Sequence, residues 1–436
     1  MTATAPKPPS GARRDWTTAS AYALGVLTII NTFNFLDRNL LALLLPLIKA
    51  EFKVSDTALG AVNSLFFVSA ILGVPVAALA DRWNRRNLIA ISLVIWSLST
   101  SLTGLADSIV ALALFRLVMS AGEAGGVPSS NSMLADIFPK TSRPLALSIF
   151  TSGASISLIL YAPVIGWVAD HYGWRASFFI AGIPGILLAL VFMLTVKEPP
   201  RGGAAAVAEG AKPAPPVPFW PSIRFLLKSK TYVLLVIGSA FMSCINYGAG
   251  AWTATFFVRV HDLSLTQVGA FIQPLRGFIS LAGIVLAGLV VTKVAQKDER
   301  WRVWVPALTC LIYVPCEMVY LFADPLPMWL TGFIVSSVFS LMYQGAAYSA
   351  VMEVSAPGTR GVAMAVLLLI GTIFGQLVGS IGIGFLNDHL APMFGQLAVR
   401  YSMGLVLVSC ALLASFCYAL SARYLPADAR RAEALA

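Results

Sequence analysis

The sequence predicts an all-α membrane protein: twelve transmembrane helices in two pseudo-symmetric six-helix bundles. Three observations carry this. First, 58% of the 436 residues are hydrophobic and 11% charged, where a soluble domain carries about 25% charged residues; mean hydropathy is +0.80. Second, twelve apolar runs are each long enough for the ~20 residues that cross a bilayer. They fall near 19–47, 57–80, 87–106, 108–136, 143–169, 174–196, 231–259, 266–291, 303–323, 326–352, 360–387 and 398–422. Their length and short connections exclude barrel strands. Third, the two halves echo one another. Ser55-Asp56-Thr57-Ala58-Leu59-Gly60 matches Ser264-Leu265-Thr266-Gln267-Val268-Gly269, which sets Asp37 against Asn246. Pro139-x-x-x-Arg143-x-x-Ala146 matches Pro357-x-x-Arg360-x-x-Ala363, and Asp170-His171 matches Asp388-His389. Matches recurring in one order indicate a duplicated six-helix unit.

The domain plan follows from the runs. Residues 1–17 form an N-terminal tail, 18–197 the first bundle, 198–230 a linker, 231–423 the second bundle and 424–436 a C-terminal tail. The start, Met1 to Trp16, is polar and contains proline, so no cleavable signal peptide is expected and the first helix acts as its own signal. Pro199 to Pro221 is rich in Pro, Ala and Gly, as a linker between bundles would be. Basic residues gather at one set of helix ends, among them Arg13, Arg85, Arg86, Arg143, Lys197, Lys230, Arg300, Arg360 and Arg423. The opposite ends hold only Lys49, Lys53, Arg175, Arg259 and Arg400. Lys and Arg resist translocation, so this bias places both termini in the cytoplasm of a bacterial inner (plasma) membrane. It also accounts for the net charge of +10 without nucleic acid as a partner. The five cysteines, all in apolar runs of the second half, read as small buried hydrophobes.

Charges inside the apolar runs point to function. A charge at bilayer depth costs at least ~2.5–3.5 kcal/mol on insertion scales, so Asp37 and Arg38, within the first run, should face a bundle interior. At 1.5 Å per residue Asp37 lies ~26 Å from the basic end of helix 1. Arg116 of helix 4 falls at ~28 Å, with Glu123 two turns deeper at ~18 Å and on the same face. The expected arrangement is an acid–base–acid ladder with Asp37 paired to Arg116: either a static buried ion pair or a carboxylate whose proton occupancy changes its partner. Asn31 and Asn34 flank this face and can hydrogen-bond substrate or glue helices together. Arg276 of helix 8 and Glu317 are the charges deep in the second half; Arg276 either meets a substrate headgroup or snorkels to an interface.

The segment Gly73 to Arg86 ends an apolar helix in a tight basic loop. Topological anchoring explains its arginines but not Asp81. Asp136, at the end of helix 4, is a natural partner for Arg85, so Asp81, Arg82, Arg85, Arg86 and Asp136 read as a cytoplasmic gate. Glycines 122, 125 and 126 flank Glu123, and Gly371, Gly375, Gly379 and Gly382 line helix 11, which permits close helix packing. No Gly-x-x-x-x-Gly-Lys-Ser/Thr loop is present, which argues against ATP-driven pumping. His171, His261 and His389 make no metal pattern. No cofactor, metal site or enzymatic constellation is expected.

These motifs resemble a known family. Ala77-x-Leu79-Ala80-Asp81-Arg82-x-Asn84-Arg85-Arg86 resembles the loop 2–3 signature of the major facilitator superfamily, with Ala77 and Asn84 where the family usually has glycine. Phe35-Leu36-Asp37-Arg38-Asn39, Gly122-Glu123-Ala124-Gly125-Gly126-x-Pro128, Asp136-x-Phe138-Pro139 and Gly173-Trp174-Arg175 together resemble its spinster-like branch. Gln376 stands where spinster proteins usually have Asp. The resemblance implies the family's two-bundle fold and an alternating-access secondary transporter. It makes Asp37 and Glu123 proton-coupling groups beside Arg116, and an amphipathic lipid of the sphingoid or lysophospholipid class the substrate. Asn34, Arg38, Arg116 and Arg276 would bind it. A related anion:cation symporter branch shares the helix 1 Asp-Arg and moves small organic anions. The expected function is therefore a proton-coupled transporter, working as a monomer within the lipid bilayer. The alternatives are a small organic-anion:proton symporter and a non-transporting receptor or scaffold.

Overall fold

The structure, a computed structural model, describes residues 16–80, 82–139, 141–201, 219–294 and 298–434. Most of the expected N-terminal tail and the middle of the expected linker lie outside these residues. Eight helical stretches are long and apolar enough to cross a membrane. Two of them reverse on a glycine in the left-handed region. Arg143–Thr195 turns back at Gly173 (φ 81°), giving α5 and α6, and Arg360–Ser421 turns back at Gly395 (φ 56°), giving α11 and α12. A side chain at either φ would be strained. The remaining single spans are α1 (Thr18–Phe52), α2 (Asp56–Ala80), α4 (Ile109–Ile137), α7 (Lys230–His261), α9 (Trp301–Phe322) and α10 (Leu326–Glu353). Two more helices complete the twelve among the described residues. These are α3 (Arg85–Thr103), rich in Ser and Thr, and α8, which runs from Leu265 to Val294. Short amphipathic helices at Phe219–Leu227 and Leu425–Glu433 flank the second half.

Several spans carry breaks within their length. α2 is interrupted at Leu65 and Phe66, and α4 at Ala124 and Gly125. π-helical turns occupy Ser157–Tyr161 in α5, Val268–Ile272 in α8 and Gly375–Gly382 in α11. Such wide turns free backbone groups and mark places where a helix bends. Some polar side chains bond back along their own helix. Thr28 donates to Leu24 O, Thr32 to Thr28 O and Asn39 to Phe35 O, at 2.7, 2.8 and 2.7 Å, which satisfies these donors inside the apolar interior.

Both described ends of the chain lie on one face, the terminal face. Trp16 packs on Phe138 at the end of α4, and Asp428 accepts from Thr231 N at the start of α7. On the opposite, distal face the duplication is visible in the turns. α1 and α7 each end on a left-handed residue, Lys53 (φ 52°) and Asp262 (φ 53°). Shortly after each, a serine, Ser55 or Ser264, caps the next helix by accepting from Ala58 N or Gln267 N.

Candidate functional site

The site is built on α1, α3 and α4 inside the first half. Asp37 is 1% exposed, and neither oxygen of its carboxylate has a hydrogen-bond partner. Thr100 of α3, its hydroxyl equally without a bond, stands beside it. Arg116, also 1% exposed, donates from Nη1 to the backbone carbonyl of Asp37 at 2.9 Å and reaches Met119 Sδ at 3.1 Å. Arg38 turns the other way: its Nε lies 3.3 Å from Glu123 Oε2, while its guanidinium sits over the Phe66 ring at 4.2 Å and the Phe35 ring at 4.9 Å. The Glu123 side chain is fully buried and the Arg38 side chain 24% exposed. Glu123 closes the first segment of α4, and the second oxygen of its carboxylate is unpartnered. Close packing on α3 holds it there: a Cβ on Gly122 would lie 2.9 Å from Trp96 N, and one on Gly125 2.2 Å from Ser92 Oγ.

The four charges therefore meet, but not as the ladder expected from depth alone. Arg116 addresses the Asp37 backbone rather than its carboxylate, and the acid that does find an arginine is Glu123, through Arg38. The physical reason is helix rotation. Neighbouring residues on α1 point about 100° apart, and matched height along two helices leaves that azimuth free. The result is a two-plus, two-minus cluster with spare acceptor capacity on both acids. A new donor at either acid would compete with the arginines for it, since each acid keeps an unpartnered oxygen.

Asn34 is 1% exposed, with both amide atoms unpartnered. It lines a pocket within the first bundle, between Trp96, Gly126, Ser130 and Phe150, and so faces away from the other half. Arg276 does not snorkel. It lines a polar cavity within the second bundle with Glu317, Tyr313 and Tyr320, and those three are the ionisable groups it faces. Arg38 and Arg116 share one cluster; Arg276 belongs to another.

On the terminal face, Arg85 pairs with Asp136. It also binds Glu198 Oε1 at 2.8 Å and Pro199 O at 3.0 Å, and the backbone N of Arg86 donates to Glu198 Oε2 at 2.7 Å. Arg82 is exposed, and Asp81 lies outside the described residues. Glu198 is hidden from sequence reasoning because it falls in a segment that reads as linker. These partners of Arg85 all lie in the first half or just past it.

The halves meet through hydrogen bonds clustered at the distal face. Asp388 of α11 accepts from Asp56 N (2.8 Å), Thr57 N (2.8 Å) and Thr57 Oγ1 (2.6 Å), capping α2. Asp170 of α5 accepts from Thr266 N (2.7 Å) and Thr266 Oγ1 (2.6 Å), capping α8. Asp56 is also held by Arg259 at 2.6 and 2.8 Å and by Lys49 at 2.6 Å. The sequence shows these aspartates as repeat markers; only the folded chain shows them as latches.

Two six-helix bundles latched at one face around buried charges are the architecture of a secondary transporter. A model of the Major Facilitator Superfamily matches residues 27–380, and the chain belongs to that family. It is 29% identical to an MFS-type efflux pump of Mycolicibacterium smegmatis, across 95% of this chain and 94% of that protein. It is 25% identical to a probable galactarate/D-glucarate transporter of Bacillus subtilis, across 63% and 65% respectively. Among solved structures, a bacterial homolog of the human lysosomal transporter Spinster, inward-facing and unoccupied, superposes with a TM-score of 0.80. The identity there is 25%, over 95% of this chain and 99% of that one. The resemblance to spinster-type proteins thus extends over nearly the whole fold.

Proposed function

We propose that this transporter is proton-coupled and moves an amphipathic substrate with an anionic or phosphate-bearing headgroup, of the sphingoid or lysophospholipid class. It would work as a monomer in a bacterial inner membrane, with both termini in the cytoplasm. The observation that carries the proton coupling is the Asp37 carboxylate: buried, without a hydrogen bond, and beside both an arginine and a second acid. Such a group has little reason to persist in a bilayer unless its protonation changes during the cycle. The substrate reading is supported by the partly exposed guanidinium of Arg38 on its two phenylalanines. A small, mostly apolar pocket lined by Leu36, Leu40, Leu43, Leu158 and Ile165 lies at the seam of α1, α5 and α8, an apolar surface in keeping with a lipid chain. The closed distal latches support an inward-facing form, the state of the spinster homolog the chain resembles.

A second reading is a small organic-anion:proton symporter. The similarity to a galactarate/D-glucarate transporter and the two arginines of the cluster favour it. Purified protein in liposomes decides between the two. Under an imposed proton gradient the first reading requires accumulation of a lysophospholipid, the second accumulation of galactarate. Transport of either without any response to the gradient removes the proton coupling.

A further inference from the structure

The second bundle holds a pair of opposite charges that the cluster around Asp37 does not use. Arg276 of α8 and Glu317 of α9 line one polar cavity of about 20 Å³, room for about one water molecule. Glu317 is 2% exposed. The Tyr320 hydroxyl, which lines the same cavity, is buried and has no hydrogen-bond partner. A buried pair kept for structure alone is stable only when the two charges meet in good geometry with their remaining valences filled. In this cavity both charges face a hydratable space, with no direct ion pair between them among the described residues. Each keeps free valence for a third party: an anion at the guanidinium, a proton at the carboxylate.

We propose that Arg276 and Glu317 form a second proton-binding site, in which an anionic group of the substrate takes Arg276 while Glu317 takes up a proton. This rests on the anionic-headgroup reading above and adds a site to it. The charge balance favours it. Arginine with a bare carboxylate is neutral, and arginine with a bound anion and a protonated Glu317 is neutral too. The bundle therefore carries no uncompensated charge in either state, which the low-dielectric interior requires. The proton comes from bulk solvent and is relayed through water in the cavity, so no hydroxide is left behind and no bond other than O–H is made or broken. The groups facing Glu317 are few. Arg276 comes from α8; Tyr313, Cys316 and Tyr320 come from its own helix. α7 and α10 contribute neutral side chains such as Asn246 and Ser336, and α12, also packed on α9, presents no charge to it. With no second carboxylate at the cavity, Glu317 titrates alone rather than as a coupled acid pair.

Infrared difference spectra of the purified full-length protein test this directly. Wild type should show a protonated-carboxyl band at acid pH that Glu317→Gln deletes and Asp37→Asn leaves in place. At fixed pH, sodium dodecyl phosphate or sodium galactarate should enlarge that band. Arg276→Gln should enlarge it without any anion and abolish the anion response. Glu317→Asp, which keeps an acid at the position, should retain a titrating band and so separates loss of the group from loss of the fold. The site is overturned if Glu317→Gln leaves every titrating carboxyl band unchanged, if neither anion enlarges the band in wild type, or if the anion response survives in Arg276→Gln. A response to galactarate alone keeps the site and removes the amphipathic substrate. A lysophospholipid carried in liposomes with no anion response at Glu317 keeps the substrate reading and removes the site.

Discussion

The distal seam and the buried charges tell opposite stories about the two halves. At the seam the halves repeat one another's contacts. Asp388 caps α2 through Thr57, and Asp170 caps α8 through Thr266. The glycines repeat the pairing. A Cβ on Gly60 would lie 2.4 Å from Ser380 O and one on Gly269 2.3 Å from Ala162 O; on Gly384 it would lie 2.4 Å from Asp56 O, and on Gly166 2.3 Å from Leu265 O. Inside the bundles the mirror fails. The first half places its charges on α1 and α4, the second on α8 and α9, and the register mate of Asp37 is Asn246, whose amide is spent on Met242 O and Ser340 O. Duplicated contacts persist where the two halves meet; charge differs between the bundle interiors.

The sharpest way to break this contrast is to remove the acid that has no counterpart. Asp37→Asn should abolish uphill accumulation in proteoliposomes while leaving folding and downhill exchange intact. The double variant Asp37→Asn, Asn246→Asp should not restore it. Restoration by that swap would show that the interiors are interchangeable after all. Glu123→Gln should act in the same direction but less completely. It leaves Asp37 in place and frees Arg38, so the pH dependence of the inward–outward equilibrium should flatten rather than vanish. An unaltered pH profile of interspin distances between the halves would remove Glu123 from the coupling.

The seam should respond in pairs. Asp388→Ala and Asp170→Ala each remove charged hydrogen bonds worth roughly 1.5–3 kcal/mol apiece, all of them made only while the distal face is closed. Both should move the population toward the outward-open state, by at least about tenfold for Asp388. Asp170 should give the smaller shift, since it makes fewer bonds and is exposed to screening solvent. Gly60→Ala and Gly269→Ala should act alike, because each drives a methyl into a backbone carbonyl of the facing half. Interspin distances across the distal face check all four. Equal effects of Asp388 and Asp170 would refute the ranking, and no effect of either would refute the latches.

Much of this architecture is legible in the sequence. Hydropathy gives the spans, the echoed Ser-x-Thr and Asp-His motifs give the duplication, and depth along the helices brings Asp37, Arg38, Arg116 and Glu123 to one region. What is not legible depends on rotation about helix axes and on contacts between segments far apart in the chain. Arg38, not Arg116, engages a carboxylate. Asn34 turns into its own bundle. Glu317, for which the sequence shows no partner, shares a cavity with Arg276. The aspartates that look like repeat markers are cross-half caps, a role that appears only when residues 56–57 meet residue 388 and residue 266 meets residue 170.

The smallest expected effect lies on the terminal face and tests whether that face is a latch in the described form. The Arg85 side chain is 3% exposed and has two carboxylate partners, Asp136 and Glu198. Removing one leaves the cation paired, so the large cost of an orphaned buried charge is not incurred. Glu198→Gln should therefore lower stability by about 1 kcal/mol, a Tm shift of roughly 2–4 °C. These partners sit within or just past the first half, whereas Asp388 and Asp170 reach between halves. Glu198→Gln should accordingly leave interspin distances at wild-type values even as Tm falls. If it instead shifts the inward–outward population as far as Asp388→Ala does, the terminal-face cluster already couples the two bundles, and the contrast between a seam that joins the halves and a cluster that braces one of them is lost.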